Sequence, residues 1–522
     1  MKDKMPKMKK RKKLTAAIIL MSVFALLAGC AAGDEKQDVD DRSQLTLSEA
    51  LEYYSDSRIG VQTGSTLVSI AEEYFPDADI CYFSNGADIK TALLNGKIDA
   101  FLLDKPNVEM MYKEDPSFYY YEETLYTEYM AFGFNKNTGT KLCAEMNEFL
   151  KEIEQSGVKS NLEEKWTSAD DYTAIEIDID ELIDINGTLS VVSDITFPPF
   201  EYYRGADEIA GLEMEMLALF AKEYGYALDI KNVDFSSVVL NIASGKSDMA
   251  ASALSITDER KESVLFSDPF YESGPVLCVP NTSADENGNS IAGSFNKTFI
   301  KDSRWKLFAQ GMLVTLMISS FAIAAGTVLG FGVFEISRRG GKIINLTTNF
   351  IYKLIHGMPV VVFLMLMYYL VFGKSRMSGV WISAIAFMII FALEVASILS
   401  SGSKVIDAGQ IEAAYMLGYS ERKAFNKIIL PQIVINSISS YSSAIVSLVL
   451  STAVVGYVAV EDITKVGDIV RSRTYEAFFP LIVTAGAYFI LSWIVTIPAR
   501  IIKRRFDPET RKIVIKGGNR DD

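Results

Sequence analysis

Gly245-Lys246-Ser247 is where this sequence comes nearest to a phosphate-binding loop, but Leu240 stands where G-x-x-x-x-G-K-[ST] requires its upstream glycine. No nucleotide site of that type is present. The single histidine, His356, leaves neither a histidine-dependent triad nor a multi-histidine metal centre available. Cys81, Cys143 and Cys278 are odd in number and lack C-x-x-C spacing, so they read as buried free thiols, and no cofactor or metal is expected. The remaining chemistry is that of binding. Two segments, "IKTALLNGKIDAFLLD" (89–104) and "SVVLNIASGKSDMAAS" (237–252), each run an amphipathic helix through Gly-Lys-x-Asp into an apolar strand, the helix-to-strand step of an α/β lobe. Glu394 lies in an otherwise apolar run, where an ionisable group is costly and points to a bundle-interior or pathway role.

The elements that must position these residues divide by charge. Residues 31–300 hold 51 Asp and Glu against 19 Lys and Arg, whereas residues 301–522 hold 14 against 24. An acidic half followed by an apolar, mildly basic half reads as an exported domain joined to a membrane domain, and the acidic half would repel nucleic acid. The start "MKDKMPKMKKRKK" and the apolar run after it form a targeting segment, residues 1–30. Its end, Leu27-Ala28-Gly29-Cys30, resembles a bacterial lipobox, which implies lipidation of Cys30; an uncleaved anchor is the alternative. Five apolar runs, 307–334, 354–373, 377–400, 433–460 and 477–499, each suffice for a span of about twenty residues. With the acidic domain outside, "EISRRGGK", the stretch after residue 408 and "ARIIKRRF" fall inside, as the positive-inside rule requires. The outer loop carrying Lys465, Arg471 and Arg473 is an exception, balanced by Glu461, Asp462, Asp468 and Glu476.

The stretch "GQIEAAYMLGYSERKAFNKIILPQ" (409–432) reads as a short helix, a glycine turn and a second amphipathic helix. It resembles the EAA loop of ABC-importer permeases, which implies that Glu412, Ala413, Ala414 and Gly418 couple to a separate ATPase subunit. "GMLVTLMISSFAIAAGTVLG" (311–330) and "HGMPVVVFLMLMYYLVF" (356–372) resemble helices of polar-amino-acid permeases, with His356 where that family usually has Arg. "LSVVSDITFPPFEYY", "GLEMEMLALFAKEYGY", "SALSITDERKESVLFSDPFY" and "RIGVQTGSTL" resemble the polar amino-acid-binding proteins of such importers. The resemblance implies a two-lobed clamp that closes on an amino acid. Arg260 would take the α-carboxylate, with Ser65 and Thr66 at a helix start, and Asp104 the α-ammonium. Phe197, Ser252 and Ser255 would complete the site, and Asp194 is a further candidate. Plainer roles stand beside these: a surface ion pair for Arg260, a helix cap for Asp104, core packing for Phe197 and an N-cap for Ser65 and Thr66.

The expected fold is thus an α/β bilobal clamp, 44–168 and 188–290 joined by an acidic linker at 169–187, followed by an all-α five-helix permease at 300–506 and a cytoplasmic tail at 507–522. In the family's usual order the segment like 188–278 precedes the one like 58–130; the reversal here reads as circular permutation or, alternatively, as two truncated clamps. The expected protein is the binding and permease subunit of an amino-acid importer in the bacterial cytoplasmic membrane. It contacts lipid, pairs with a second copy and takes its ATP hydrolysis from a partner. A ligand-gated channel or amino-acid sensor is the alternative, although no TVGYG filter is present.

Overall fold

The computed structural model describes residues 45–168, 173–204, 208–281, 295–373, 377–474 and 478–506, with Gly293 and Ser375. The targeting segment with Cys30 and the tail at 507–522 lie outside the described residues.

Among the described residues, two large sheets form the α/β domain. The first contains β1 (Arg58–Gln62), β2 (Asp79–Phe83), β3 (Ala100–Asp104) and β4 (Phe118–Tyr120). The chain then enters the second sheet with β5 (Glu128–Asn135), continued by β6 (Thr188–Ser193). Two short strands, β7 (Thr196–Phe197) and β8 (Glu201–Tyr203), pair with β9 (Ile209–Ala210) in a small antiparallel sheet. The second sheet is completed by β10 (Ala227–Asn232), β11 (Met249–Ser255), β12 (Val264–Phe266) and β13 (Tyr271–Ser273), before β14 (Pro275–Pro280) returns to the first. Lobe II therefore has the order β2-β1-β3-β14-β4, and lobe I the order β10-β6-β11-β5-β12 with β13 also on β5. The chain crosses between the lobes twice. Within segment 274–281, β14 is a full strand of lobe II, antiparallel to both β3 and β4.

Both lobes follow the parallel α/β pattern. β1 runs parallel to β2 and β3, and β6 parallel to β10 and β11, with helices covering the sheet faces. β3 and β11 are buried along their whole length, which accounts for their uninterrupted apolar and small residues. The acidic linker is not a solvated tether. Ile175 and Leu182 pack on the lobe I core, and the amides of Ile185 and Asn186 donate to the Gly225 carbonyl.

Helix Leu212–Tyr224 is buried nearly all round, carboxylates included. Glu215 accepts from Trp166 Nε1 and Lys165 Nζ, each at 2.7 Å. Glu213 Oε2 accepts the Ala253 amide at 2.6 Å and so supports a residue held at φ 41°, between the register shift of β11 and Ser255. Burial raises Glu213 to about 8, and the Glu201 carboxyl beside it is pushed up as well.

Among the described residues of the membrane half, four helices are long and apolar enough to cross: Trp305–Arg339, Gly379–Lys404, the run Glu421–Val458 and Phe479–Pro498. The run expected at 354–373 is broken. Helix Lys342–His356 and the helical segment Val360–Val371 meet at 104°, at the Gly357–Pro359 break, and make a fifth crossing only if counted together. The first two long helices approach closely at Gly330, where a Cβ would lie 2.5 Å from the Ala392 carbonyl. His356 and Glu394, each singled out in the sequence, face one another, with Nε2 3.6 Å from Oε2. Between the last two long helices lies helix Ile463–Thr474.

Because folded Glu213 holds its proton more tightly than the unfolded chain, its contribution is fully present below pH ~4.5 and is lost as pH rises through about 8. Thermal unfolding of the full chain should show Glu213→Gln gaining on wild type across this window, by at most ~1.4 kcal/mol per pH unit. A difference independent of pH would contradict the assignment.

Candidate functional site

The carboxyl ends of the parallel strands in both lobes point into one cleft, the usual place for a ligand in open α/β sheets. After β1 the chain turns through Thr63–Thr66 into helix Leu67–Tyr74. After β11 it turns through Ile256 and Thr257 into the short helix Asp258–Ser263, which Thr257 caps by accepting from the Arg260 amide at 3.1 Å. The cleft between them measures about 950 Å³, within the usual range for small-molecule sites. Gly64, Ser65, Thr66, Glu128, Phe235 and Arg260 are among its lining residues.

Arg260 spans the lobes. Its guanidinium donates to the Ser255 carbonyl of lobe I at 3.0 Å and to the Gly64 carbonyl of lobe II at 3.1 Å, and it lies 5.7 Å from the centre of the Phe235 ring. Burial draws its pKa down, while Glu128, Glu259 and Asp104 push it up. Both of these hydrogen bonds go to carbonyls, so the guanidinium still has donors for a carboxylate. Ser65 Oγ donates to the Gln62 carbonyl at 2.7 Å, and the Thr66 hydroxyl makes no capping bond on helix Leu67–Tyr74.

Asp104 ends β3 and occupies the N-cap position of helix Lys105–Glu114 without capping it. It is 9% exposed and its Oδ1 has no hydrogen-bond partner; the same holds for Oε2 of Glu128, which is 4% exposed. The two carboxyls are neighbours. Burial and the Glu128 charge together push Asp104 well above the ordinary range, against the pull of Arg260. A cationic group entering here would satisfy both orphaned oxygens.

The remaining sequence candidates fall elsewhere. Ser255 contributes its carbonyl to Arg260, and the Ser252 hydroxyl accepts the Asp194 amide at 3.0 Å. Phe197 stacks on Phe200 at 5.9 Å and packs against the cores of both lobes. Asp194 accepts the Phe235 amide and binds Lys465 of the membrane half at 3.1 Å. Phe197, Ser252, Ser255 and Asp194 are thus outside the cleft lining, and Asp104 stands behind it, beside the lining residue Glu128. Sequence reasoning missed Glu128; its signal was an acid at the entry of an apolar strand, "EYMAFGFN".

On the membrane half, Asp407 caps helix Ala408–Met416, and a turn at Gly418, with φ 80°, follows it. Glu412 and Ala413 are exposed and Ala414 is buried. Met416 at 90% and Leu417 at 76% exposure leave an apolar knuckle uncovered.

Residues 189–511 match the family described as bacterial extracellular solute-binding proteins, family 3. A putative glutamine transport system permease protein, GlnP of Rickettsia felis, is 30% identical over 201 residues, which are 38% of this chain and 91% of the relative. The arginine transport system permease protein ArtQ of Bacillus subtilis is 25% identical over 201 residues, covering 38% and 90%. A solved amino acid ABC transporter, crystallised with histidines, aligns at 27% identity over 40% of this chain and 98% of its own, with a TM-score of 0.37.

Arg260→Ala should weaken amino-acid binding by about 10- to 100-fold in calorimetry on the full chain without lowering its melting temperature. Affinity should also fall with decreasing pH, with a midpoint above the usual carboxylate value near ~4, as Asp104 takes up the proton that an ammonium ligand must displace. Asp104→Asn should bind weakly and flatten this profile; an unchanged profile would remove Asp104 from the site.

Proposed function

We propose a working cycle for a chain that belongs to the bacterial extracellular solute-binding proteins, family 3, and that combines the binding and permease parts of an amino-acid ABC importer. The cleft captures a polar amino acid on the outer side of the cytoplasmic membrane. Its α-carboxylate lies on Arg260 and the start of helix Leu67–Tyr74, and its α-ammonium on Asp104 and Glu128. Closure of the two lobes is passed to the helices beneath them, and a separate ATPase bound at residues 409–432 drives release to the inside. The relatives named for glutamine and arginine transport make polar amino acids the first ligands to test.

The observation that carries this reading is the pairing of one guanidinium shared by both lobes with two buried carboxyls that each leave an oxygen unsatisfied. A zwitterion supplies both missing charges at once. The lobe order, with 45–125 preceding the β6-to-β13 segment, fits a circularly permuted clamp whose linker runs along lobe I. The five-helix permease reading treats the bent pair as one span and places the C-terminus in the cytoplasm. The apolar face left by the bent helix Lys342–His356 suits a second copy or lipid. Cys30 lipidation belongs to the same reading.

The coupling step is the most exposed to test. A valine at Gly418 must adopt φ 80°, which costs about 1 kcal/mol or more, while its side chain meets nothing within 4 Å in this chain. Gly418→Val and Leu417→Asp should therefore keep amino-acid binding in the purified chain, yet lose co-purification of an ATPase from native membranes and lose uptake of radiolabelled amino acid. Retention of the ATPase by both variants would move the coupling surface elsewhere.

A further inference from the structure

Helix Ile463–Thr474 touches both lobes, and it does so with its two ends. At the start, Lys465 is 3% exposed, and its ammonium is bonded to Asp194 at 3.1 Å, to Asp234 at 3.0 Å and to the Val233 carbonyl at 3.0 Å, all in lobe I. Just before it, Glu461 accepts from Tyr203 at 2.7 Å and Asn232 at 2.8 Å, also in lobe I. At the other end Arg471 reaches Asp88 of lobe II at 3.2 Å, and Arg473 reaches Glu114 of lobe II at 3.3 Å while its guanidinium lies 5.2 Å from the Tyr202 ring of lobe I. Six to eight helical residues separate the two sets, a fixed span of about 9 to 12 Å.

The helix is also held to the membrane half. Val466, Ile469 and Val470 pack with Leu307 and Phe308 of the first long helix, and Asp462 accepts from Tyr488 of the last at 2.7 Å. Lobe I has a second seat on that half. Lys246 donates to the Phe372 and Ser375 carbonyls at 2.6 and 3.2 Å, and Asn241 to the Tyr369 hydroxyl at 2.8 Å. The lobes also touch one another, joined by Arg260 to Gly64 and by Asn107 to the Pro198 carbonyl at 2.6 Å.

From these contacts we propose that helix Ile463–Thr474 is a ruler for clamp closure. Lobe I stays seated on the membrane half through Lys465 and Lys246, while Arg471 and Arg473 capture lobe II only when the cleft has closed. This inference rests on the importer reading and assigns the moving lobe and the residues that sense it. A helix fixed to the bundle cannot follow a lobe that swings away, so opening must break the Asp88 and Glu114 contacts. Closing recovers them. The arginines therefore convert the cleft geometry into a contact on the helix that links the last two spans.

The test uses the full chain in lipid nanodiscs, with spectroscopic labels introduced as unnatural amino acids at Asp77 in lobe II, Lys222 in lobe I and Leu313 in the first long helix. Distances are read with and without a mixture of the twenty amino acids. Arg471→Ala/Arg473→Ala should shift the lobe-to-lobe distribution toward separation by about tenfold in the open-to-closed ratio, while the distance from lobe I to the helix bundle stays unchanged. Arg473→Glu should open the clamp in the same way, and adding Glu114→Arg should close it again, which a fold defect would not do. An unchanged lobe-to-lobe distribution, both lobes leaving the bundle together, or no recovery in the charge-swapped pair would each overturn the ruler. A wild-type chain whose distances ignore the amino-acid mixture would count against the importer reading instead, because the arginine comparison needs no ligand.

Discussion

The ammonium of Lys465, buried to 3% exposure between two carboxylates of another domain, constrains how the halves of this protein meet. An isolated charge in that position would be prohibitive, and removing one partner of a buried pair typically costs ~3–5 kcal/mol. The pairing is therefore specific: the lysine requires Asp194 and Asp234 together, and they in turn are held at the start of helix Phe235–Ala243, where Asp194 also accepts the Phe235 amide. Burial pushes Asp194 upward and the lysine pulls it back, while the carboxylates hold the lysine pKa above its usual value despite burial. Phe235 lines the cleft and faces Arg260, so the same helix start serves both the domain junction and the candidate ligand site.

Charge complementarity extends this constraint over the whole junction. The α/β domain is strongly acidic, and the membrane half meets it with three cations set on one helix. Asp468 tempers that array. Burial raises its pKa to about 6, while its neighbours Arg471 and Lys465 act in the opposite direction. These pairs are shielded from solvent to different degrees. Lys465 and Arg473 are almost fully enclosed, whereas Asp234 at 29% and Glu114 at 33% exposure keep contact with water.

Within the clamp, buried charged groups differ in how far they are paired. Glu215 has three partners and Lys90 is bonded to Asp115 at 2.6 Å, whereas Asp104 and Glu128 each keep an oxygen without a partner, Glu128 in the lining of the candidate site. Glu213 belongs to a third kind. It supports the positive-φ residue Ala253 and so shapes the strand end from which Ser255 and Arg260 follow.

Much of this architecture could be read from the linear chain because it depends on local patterns. The division into an acidic α/β half and an apolar helical half follows from charge and run length, and the Gly-Lys-x-Asp steps do lead from helix to strand in both lobes. The turn at Gly418 was legible because a left-handed residue after a helix favours glycine. Partners across the fold were not legible, because nothing local records them. Lys465, Arg471 and Arg473 read only as an exception to the positive-inside pattern, since Asp194, Asp88 and Glu114 lie hundreds of residues away. The break at Gly357–Pro359 was hidden inside an apolar run whose composition satisfied a straight span. Asp194 and Phe197 had the right residue types for a ligand site, but the tertiary structure committed one to a lysine of the membrane half and the other to packing between the lobes. Composition and spacing thus determined which chemistry was available, and only the closure of two sheets and a helix bundle decided which charges face each other, because an ion pair is a matter of distance in space.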